Sequence, residues 1–116
     1  MDSGRLSTRV RFQRRADVND GYGNVKGGWQ DIEVSGKPLV VWADMLERLG
    51  GEKLAGGVLE SSRLATVRTD RNAATNAVTS SDRIVARGIS WNIRSIANVG
   101  RDGDILEFLC EAGGAT

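Results

Sequence analysis

The fold class is decided by one stretch near the start of the chain, Arg5-Leu6-Ser7-Thr8-Arg9-Val10-Arg11-Phe12-Gln13-Arg14-Arg15. Its apolar side chains occupy the even positions 6, 10 and 12, and arginines occupy the odd positions 5, 9, 11 and 15. Successive side chains of a strand point to opposite faces. The alternation therefore predicts a half-buried β-strand with one face lined by arginine.

Outward from this stretch, the chain divides into short segments separated by turns. It contains 15 glycines and one proline, and frequent turns between short segments favour an all-β chain over a helix bundle. A glycine pair at 27–28 predicts a bulge or a bend in the second strand. We predict further strands over 25–34, 39–46, 64–69, 82–87, 89–98 and 104–111, a turn at 17–24, a polar loop at 72–81 and an Asp102-Gly103 hairpin turn. The fold class is mainly β, a small barrel or sandwich of about six or seven short antiparallel strands.

The middle of the chain is the most ambiguous part. Residues 39–46 are apolar on both parities, which predicts a strand buried on two faces, with a helix as the rival interpretation. We expect the strand to end near residue 46, and residues 47–60 to form a long glycine-flanked loop with at most one helical turn. Each glycine lowers helix stability by about 1 kcal/mol relative to alanine, so mobility is expected in this loop.

The bulk composition indicates one globular domain. The chain has 116 residues, 40% of them hydrophobic and 27% charged, and a formal net charge of +1. We expect a single domain over 1–116, with a tail at 112–116 that frays. The small net charge gives no polybasic membrane signal and argues against a strong free nucleic-acid binder. One cysteine, no long apolar run and no secretory signal lead us to expect synthesis in a cytoplasm and no membrane partner.

Catalytic chemistry finds little support in the sequence. The chain has no histidine, which removes the commonest general base and a common metal ligand. Asp17, Asp20 and Asp31 lack the spacing of an EF-hand loop and are typical turn formers. The serine pairs at 61–62 and 80–81 have no adjacent base. We therefore expect no enzyme activity, no cofactor and no metal ion.

The charged ends of the chain are candidate interaction surfaces. The arginine face can be a solvated strand face, a surface for an acidic protein partner, or a platform for DNA phosphates. Acidic side chains near the C-terminus can dock on this face in a neighbouring subunit or within the same subunit. The candidate interface residues are Arg5, Arg9, Arg11, Arg15, Asp102 and Asp104.

An ordered set of segments carries a resemblance over nearly the whole chain. The segments are Gly4-Arg5-Leu6, Phe12-Gln13-Arg14, Asp20-Gly21-Tyr22-Gly23-Asn24-Val25, Trp29, Val41-Trp42-Ala43-Asp44-Met45, Val67-Arg68-Thr69, Asp82-Arg83-Ile84-Val85, Gly88-Ile89-Ser90-Trp91-Asn92-Ile93 and Leu106-Glu107-Phe108-Leu109-Cys110-Glu111. In this order they resemble the phage head-tail joining, or head-closure (stopper), family, which includes relatives in gene transfer agents and prophages. The glycine-rich stretch 49–59 departs from the family pattern.

The resemblance implies a structural virion protein at the head-tail interface. It implies a small β-barrel that forms a ring, a hexamer or alternatively a dodecamer, between the portal-adaptor complex and the tail terminator or tail proteins. Packaged double-stranded DNA would pass through the ring, and a loop from each subunit would narrow the channel. We assign that role to 47–60, with the candidate channel residues Glu47, Arg48, Gly50, Gly51, Glu52, Lys53, Gly56 and Gly57. The alternative function is a small nucleic-acid-binding barrel that uses the Arg5–Arg15 face.

Overall fold

A computed structural model of the chain describes residues 7–19, 21, 24–55 and 58–113. These residues form nine strands and one short helix. In chain order the elements are β1 (Thr8–Asn19), β2 (Asn24–Asp31), β3 (Glu33–Val34), β4 (Lys37–Pro38), β5 (Val40–Ala55), β6 (Val58–Asp70), α1 (Ala73–Asn76), β7 (Arg83–Ala86), β8 (Ile89–Val99) and β9 (Ile105–Gly113).

Six of these strands close into a barrel. Their order is β1-β5-β6-β9-β8-β7, and β1 also pairs with β7, which joins the two ends of the sheet. All the pairings are antiparallel. β2 is one extra strand that pairs with β1 beyond the barrel, from Gln13↔Asp31 to Asn19↔Asn24. The prediction of a mainly β, barrel-like chain with almost no helix is therefore confirmed.

The barrel interior contains the apolar parity of each strand. Val10 and Phe12 are fully buried, as the alternation in β1 predicts. The Phe12 ring contacts the Phe108 ring of β9, with centroids 5.4 Å apart and planes tilted by 52°. Trp91 is also fully buried, and its indole N–H donates to the carbonyl oxygen of Ala86 at 3.3 Å. These three aromatic side chains are thus buried without leaving a polar atom unpaired.

Several turns follow their local sequence. Ser35-Gly36 joins β3 to β4 and Arg87-Gly88 joins β7 to β8, and all four residues have positive φ angles between 54° and 77°. Two consecutive positive φ angles define a type I′ turn, which matches the twist of a hairpin. Between the pairs Asp17↔Lys26 and Arg15↔Trp29, β2 contains one residue more than β1. The predicted bulge at the intervening glycine pair is confirmed.

The predicted loop at 47–60 is wrong as secondary structure. β5 continues to Ala55 and β6 begins at Val58, and the two strands pair from Asp44↔Arg68 through Ala55↔Val58. The register shifts once, between Leu49 and Gly51. Glycine disfavours a helix, but a bulge and a hairpin accommodate it, so the glycine pairs do not prevent strand pairing. Gly56 and Gly57 lie outside the described residues.

Three smaller differences concern the loop before β7, the connection between β8 and β9, and the end of β9. The polar loop at 72–81 contains α1, because the Asn72 side chain accepts from the Thr75 N–H at 3.0 Å and caps a single turn. The β8–β9 connection spans 100–104 rather than a two-residue Asp-Gly turn. β9 reaches Gly113 because Ala112 pairs with Arg63 and is buried. Ala112 and Gly113 are therefore part of the sheet, whereas the sequence predicted that they fray.

Candidate interaction surfaces

The arginines of β1 lie on the outside of the barrel, but they do not form one free basic stripe. The Arg11 guanidinium forms an ion pair with Asp31 of β2, at 3.0 Å. Arg9 lies over the Trp42 ring at 5.6 Å, and Arg15 lies over the Trp29 ring at the same distance. Arg5 lies outside the described residues. A phosphate platform needs several unpaired cations, so the pairing of Arg11 makes this face a weaker candidate for DNA.

Arg14, on the same strand, is committed to the structure of the subunit. It donates two hydrogen bonds of 2.9 Å to the Asp82 carboxylate. Asp82 is almost completely buried and also accepts from the Thr79 N–H at 2.8 Å. Burial raises the pKa of Asp82, but the hydrogen bonds from Arg14 and Thr79 outweigh burial and hold the pKa below its ordinary value. This contact fastens the turn before β7 to β1.

The predicted acidic patch lies in the β8–β9 connection. Asp102 and Asp104 are both exposed, and neither carboxylate forms an ion pair with a described residue. Arg71 is close to them and donates to the Gly103 carbonyl oxygen at 3.2 Å. The described ion pairs of the β1 arginines go to other carboxylates. Among the candidates that the structure describes, the basic and acidic side chains therefore do not come together within one subunit.

The candidate channel segment begins at an anchored glutamate. The Glu47 carboxylate accepts from Arg87 at 2.6 Å and forms a second ion pair with Arg63. The Arg87 hydrogen bond is the main cause that lowers the pKa of Glu47, with Arg63 acting in the same direction against desolvation. Arg48, the next residue, is exposed. The pairing of Glu47 connects the base of the β5–β6 hairpin to the β7–β8 turn.

Beyond this base, the hairpin continues as a two-stranded ribbon past the other strands that the structure describes. Strand β9 pairs with β6 up to Ser62↔Gly113, where the described part of the chain ends, and β5 and β6 pair with each other further, from Gly51↔Ser62 to Ala55↔Val58. Four residue steps past that point correspond to roughly 13 Å of strand. The backbones of Gly50, Gly51, Glu52 and Lys53 lie in β5. The side chains at 49–61 are outside what the structure describes.

The outer face of the wall built by β5, β6 and β9 was missed by the sequence interpretation. Residues 39–46 were expected to be buried on both faces, but only the odd positions face the core, where Ala43 and Met45 are buried. On the even positions, Trp42 is 55% and Leu46 70% exposed, and Leu109 of β9 is 39% exposed. Large exposed apolar side chains grouped on one wall are typical of a contact surface. The signal was present in the sequence as the apolar residues on both parities.

The described part of the chain offers little that binds a small ligand or an ion. None of its groups of acidic or cysteine side chains could hold a metal ion. Cys110 is buried, and burial raises the pKa of its thiol to about 12, which makes it a poor nucleophile. No helix among the described residues is long and apolar enough to cross a membrane.

Comparisons with known proteins agree with this description. The model of the phage head completion protein family matches residues 1–113. The fold is similar to a chain in the solved structure of the virion of a native gene transfer agent particle, with a TM-score of 0.70 and 20% sequence identity, covering 93% of this chain and 94% of that chain. No curated protein matches the sequence. The chain belongs to the phage head completion protein family and is a structural, head-related virion protein.

Proposed function

We propose that this protein is a head-closure, or stopper, subunit. Several copies, six in the arrangement we favour, form a ring between the portal-adaptor complex and the tail of a tailed-phage-like particle. The ring joins head to tail and retains the packaged double-stranded DNA. The protein acts by assembly and not by catalysis. The observation that carries this proposal is the ribbon of β5 and β6, which extends past the other described strands of a chain that belongs to the head completion family.

The ribbon has the physical properties that a channel element needs. It is held to the barrel by the Glu47 ion pairs at its base, while the pairs from Gly51↔Ser62 to Ala55↔Val58 have no third strand among the described residues. A two-stranded ribbon by itself is only marginally stable in water, so it can change position at a low free-energy cost. In sequence, it contains both acidic and basic residues at Glu52, Lys53 and Glu60. Mixed charge suits passage of a duplex better than tight binding.

Opposite charges on separate surfaces support a ring contact. Arg9 and Arg15 are exposed on β1 and form no ion pair with a described carboxylate, and Asp102 and Asp104 are exposed in the β8–β9 connection. Two different surfaces of one subunit can bind each other in successive copies, and such contacts close into a ring when the rotation between copies closes. Charge complementarity of this kind mainly sets the register between neighbours.

The ribbon is tested by shortening it without changing the barrel. Residues 52–61 are replaced by Asn-Gly, which forms a two-residue type I′ turn between the paired residues Gly51 and Ser62. The matched control replaces Ser35 with Asn, which gives the same Asn-Gly dipeptide in the existing β3–β4 turn. We expect particles with the shortened chain to contain the ring but to lose packaged DNA, measured as nuclease-resistant DNA per particle. Full DNA retention with the shortened chain would contradict the role of the ribbon.

A further inference from the structure

The exposed apolar side chains of the β5–β6–β9 wall lie on one row. The register places Leu46 beside Thr66 and Thr66 beside Leu109, so these three side chains cross the wall at the same height. Side chains of paired residues lie on the same face of a sheet. The row lines a shallow groove of about 350 Å³. Thr66, the shortest of the three, lies between the two leucines.

Two charges flank this row symmetrically along β5. Asp44 lies two residues before Leu46 and Arg48 two residues after it, and alternation places all three on the outer face. Neither Asp44 nor Arg48 forms an ion pair with a described residue, although both line the groove. By contrast, Arg68 and Glu107 form an ion pair with each other, at 2.8 Å. The two charges without a partner are thus opposite in sign and equidistant from the most exposed leucine.

We propose that this wall binds a second copy of the chain about a two-fold axis that runs along the Leu46-Thr66-Leu109 row. Rotation about this axis places Leu46 opposite Leu46 and Leu109 opposite Leu109 of the second copy. It also places Asp44 of each copy opposite Arg48 of the other. An isologous contact requires a surface that is complementary to itself, and this wall meets the requirement in its apolar row and in the pair of charges Asp44 and Arg48.

The charges also select this axis over the other two-fold arrangement of the same wall. An axis parallel to β6 would place Leu46 opposite Leu109, but it would place Asp44 opposite Glu107 of the second copy, because both lie on the row that contains Arg68. Like charges placed opposite each other disfavour a contact. An axis along the apolar row instead pairs all four otherwise unpaired charges. The carboxylates that it places opposite each other, Glu107 and Glu111, each form an ion pair with an arginine of their own subunit.

This pairing goes beyond the proposed ring, because a ring uses different surfaces of each subunit and a two-fold dimer uses the same one. A dimer would cover Leu46 and Leu109 in protein that has not yet entered a particle. It is measured on the purified chain, whereas the stopper role is measured as DNA retention in particles. A negative result for the dimer therefore does not decide the stopper role, and a loss of the stopper role does not decide the dimer.

The test is a charge exchange, followed by sedimentation velocity over a range of protein concentrations. The wild-type chain is expected to sediment as a monomer–dimer mixture. Asp44→Arg and Arg48→Asp, made separately, are each expected to weaken dimerisation about tenfold or more, and the double variant is expected to return it to within about threefold of wild type. Restoration by the double variant excludes misfolding as the cause of the losses. Leu46→Asp is expected to abolish the dimer.

The control is Ser90→Asp, an exposed position on β8 that pairs with Val85 of β7 and lies outside the β5–β6–β9 wall. It is expected to leave the dimer unchanged. A wild-type chain that stays monomeric at all concentrations overturns the proposal, as does a hexamer as the associated species. A dimer that survives Leu46→Asp, or single-variant losses that the double variant does not restore, overturns it equally.

Discussion

The wall of β5 and β6 and the wall of β7 and β8 share one interior but have opposite exteriors. Inside, both contribute buried apolar side chains, such as Met45 on the first wall and Ile84 on the second. Outside, the first wall presents Trp42 and Leu46, whereas strand β8 of the second presents Ser90 and Ser95, both exposed.

The difference separates what folds the subunit from what the subunit binds. On the second wall, charged side chains have partners within the subunit. Arg94 forms an ion pair with Glu111, and Arg83 donates to the Gln13 side chain at 2.8 Å. On the first wall, the apolar row is exposed, and the adjacent charges Asp44 and Arg48 form no ion pair with a described residue. A wall whose polar groups are paired within the subunit can stay exposed to water, whereas a wall with large exposed apolar groups is typical of a protein-binding surface.

The largest effect is expected where the two walls share their core. Phe108→Ala removes a fully buried ring that packs on Phe12 and should lower the free energy of unfolding by about 3–5 kcal/mol. The neighbouring variant Leu109→Ala removes an outward side chain and should change it by less than about 0.5 kcal/mol. Urea unfolding measures both. Equal losses would contradict the separation of inner and outer faces on β9.

Much of the fold could be predicted because alternation is a local property. The parity of Val10 and Phe12 against the arginines identified β1 and its buried face, and the glycine pair after Lys26 identified the bulge in β2. Closure of the barrel could not be predicted, because the pairing of β1 with β7 joins residues about seventy positions apart, as in Phe12↔Ile84. The β5–β6 ribbon was missed because its glycines were interpreted from helix propensity alone.

The candidate surfaces were predicted less well than the fold. The arginine face was located correctly on the outside of β1, but its partners, Asp31 for Arg11 and Asp82 for Arg14, depend on contacts between distant segments. The apolar wall was overlooked for a different reason. A strand that is buried on two faces and a strand that has one face exposed for a partner have the same sequence pattern, so residues 39–46 could not distinguish them.

An intermediate effect is expected at the carboxylate that fastens β7 to β1. Asp82→Asn removes the charge that accepts two hydrogen bonds from Arg14, and it should lower the free energy of unfolding by about 1.5–3 kcal/mol at pH 7. The pKa of Asp82 is below its ordinary value of 3.8 in the folded chain, so the unfolded chain binds more protons in the interval between the two values. Stability from Asp82 is therefore complete above pH 3.8 and is lost as the pH falls through the lower, folded pKa.

Urea unfolding of the wild-type chain and of Asp82→Asn, repeated between neutral pH and the acid range, measures this contribution. The difference between the two chains should shrink as Asp82 becomes protonated. A difference that stays constant across the acid range would show that the carboxylate charge is not the source of the stability. Ion pairs on the polar exterior would then contribute less to the free energy of unfolding than the comparison of the two walls implies.

The smallest effect is expected where the arginine face meets the apolar wall. Arg9→Ala removes the guanidinium over Trp42, an exposed cation–π contact that contributes about 0.5–1 kcal/mol. Arg9→Lys keeps the charge but loses the planar group, so it should recover only part of that loss. Thermal unfolding of the three chains, with tryptophan fluorescence as a second signal, measures the change. Since the Trp42 ring is already 55% exposed, uncovering it further should enlarge the apolar exterior of this wall without disturbing the core. A loss as large as that of Phe108→Ala would mean that Trp42 and Arg9 support the fold itself, and the exterior of the first wall would then not be reserved for a partner.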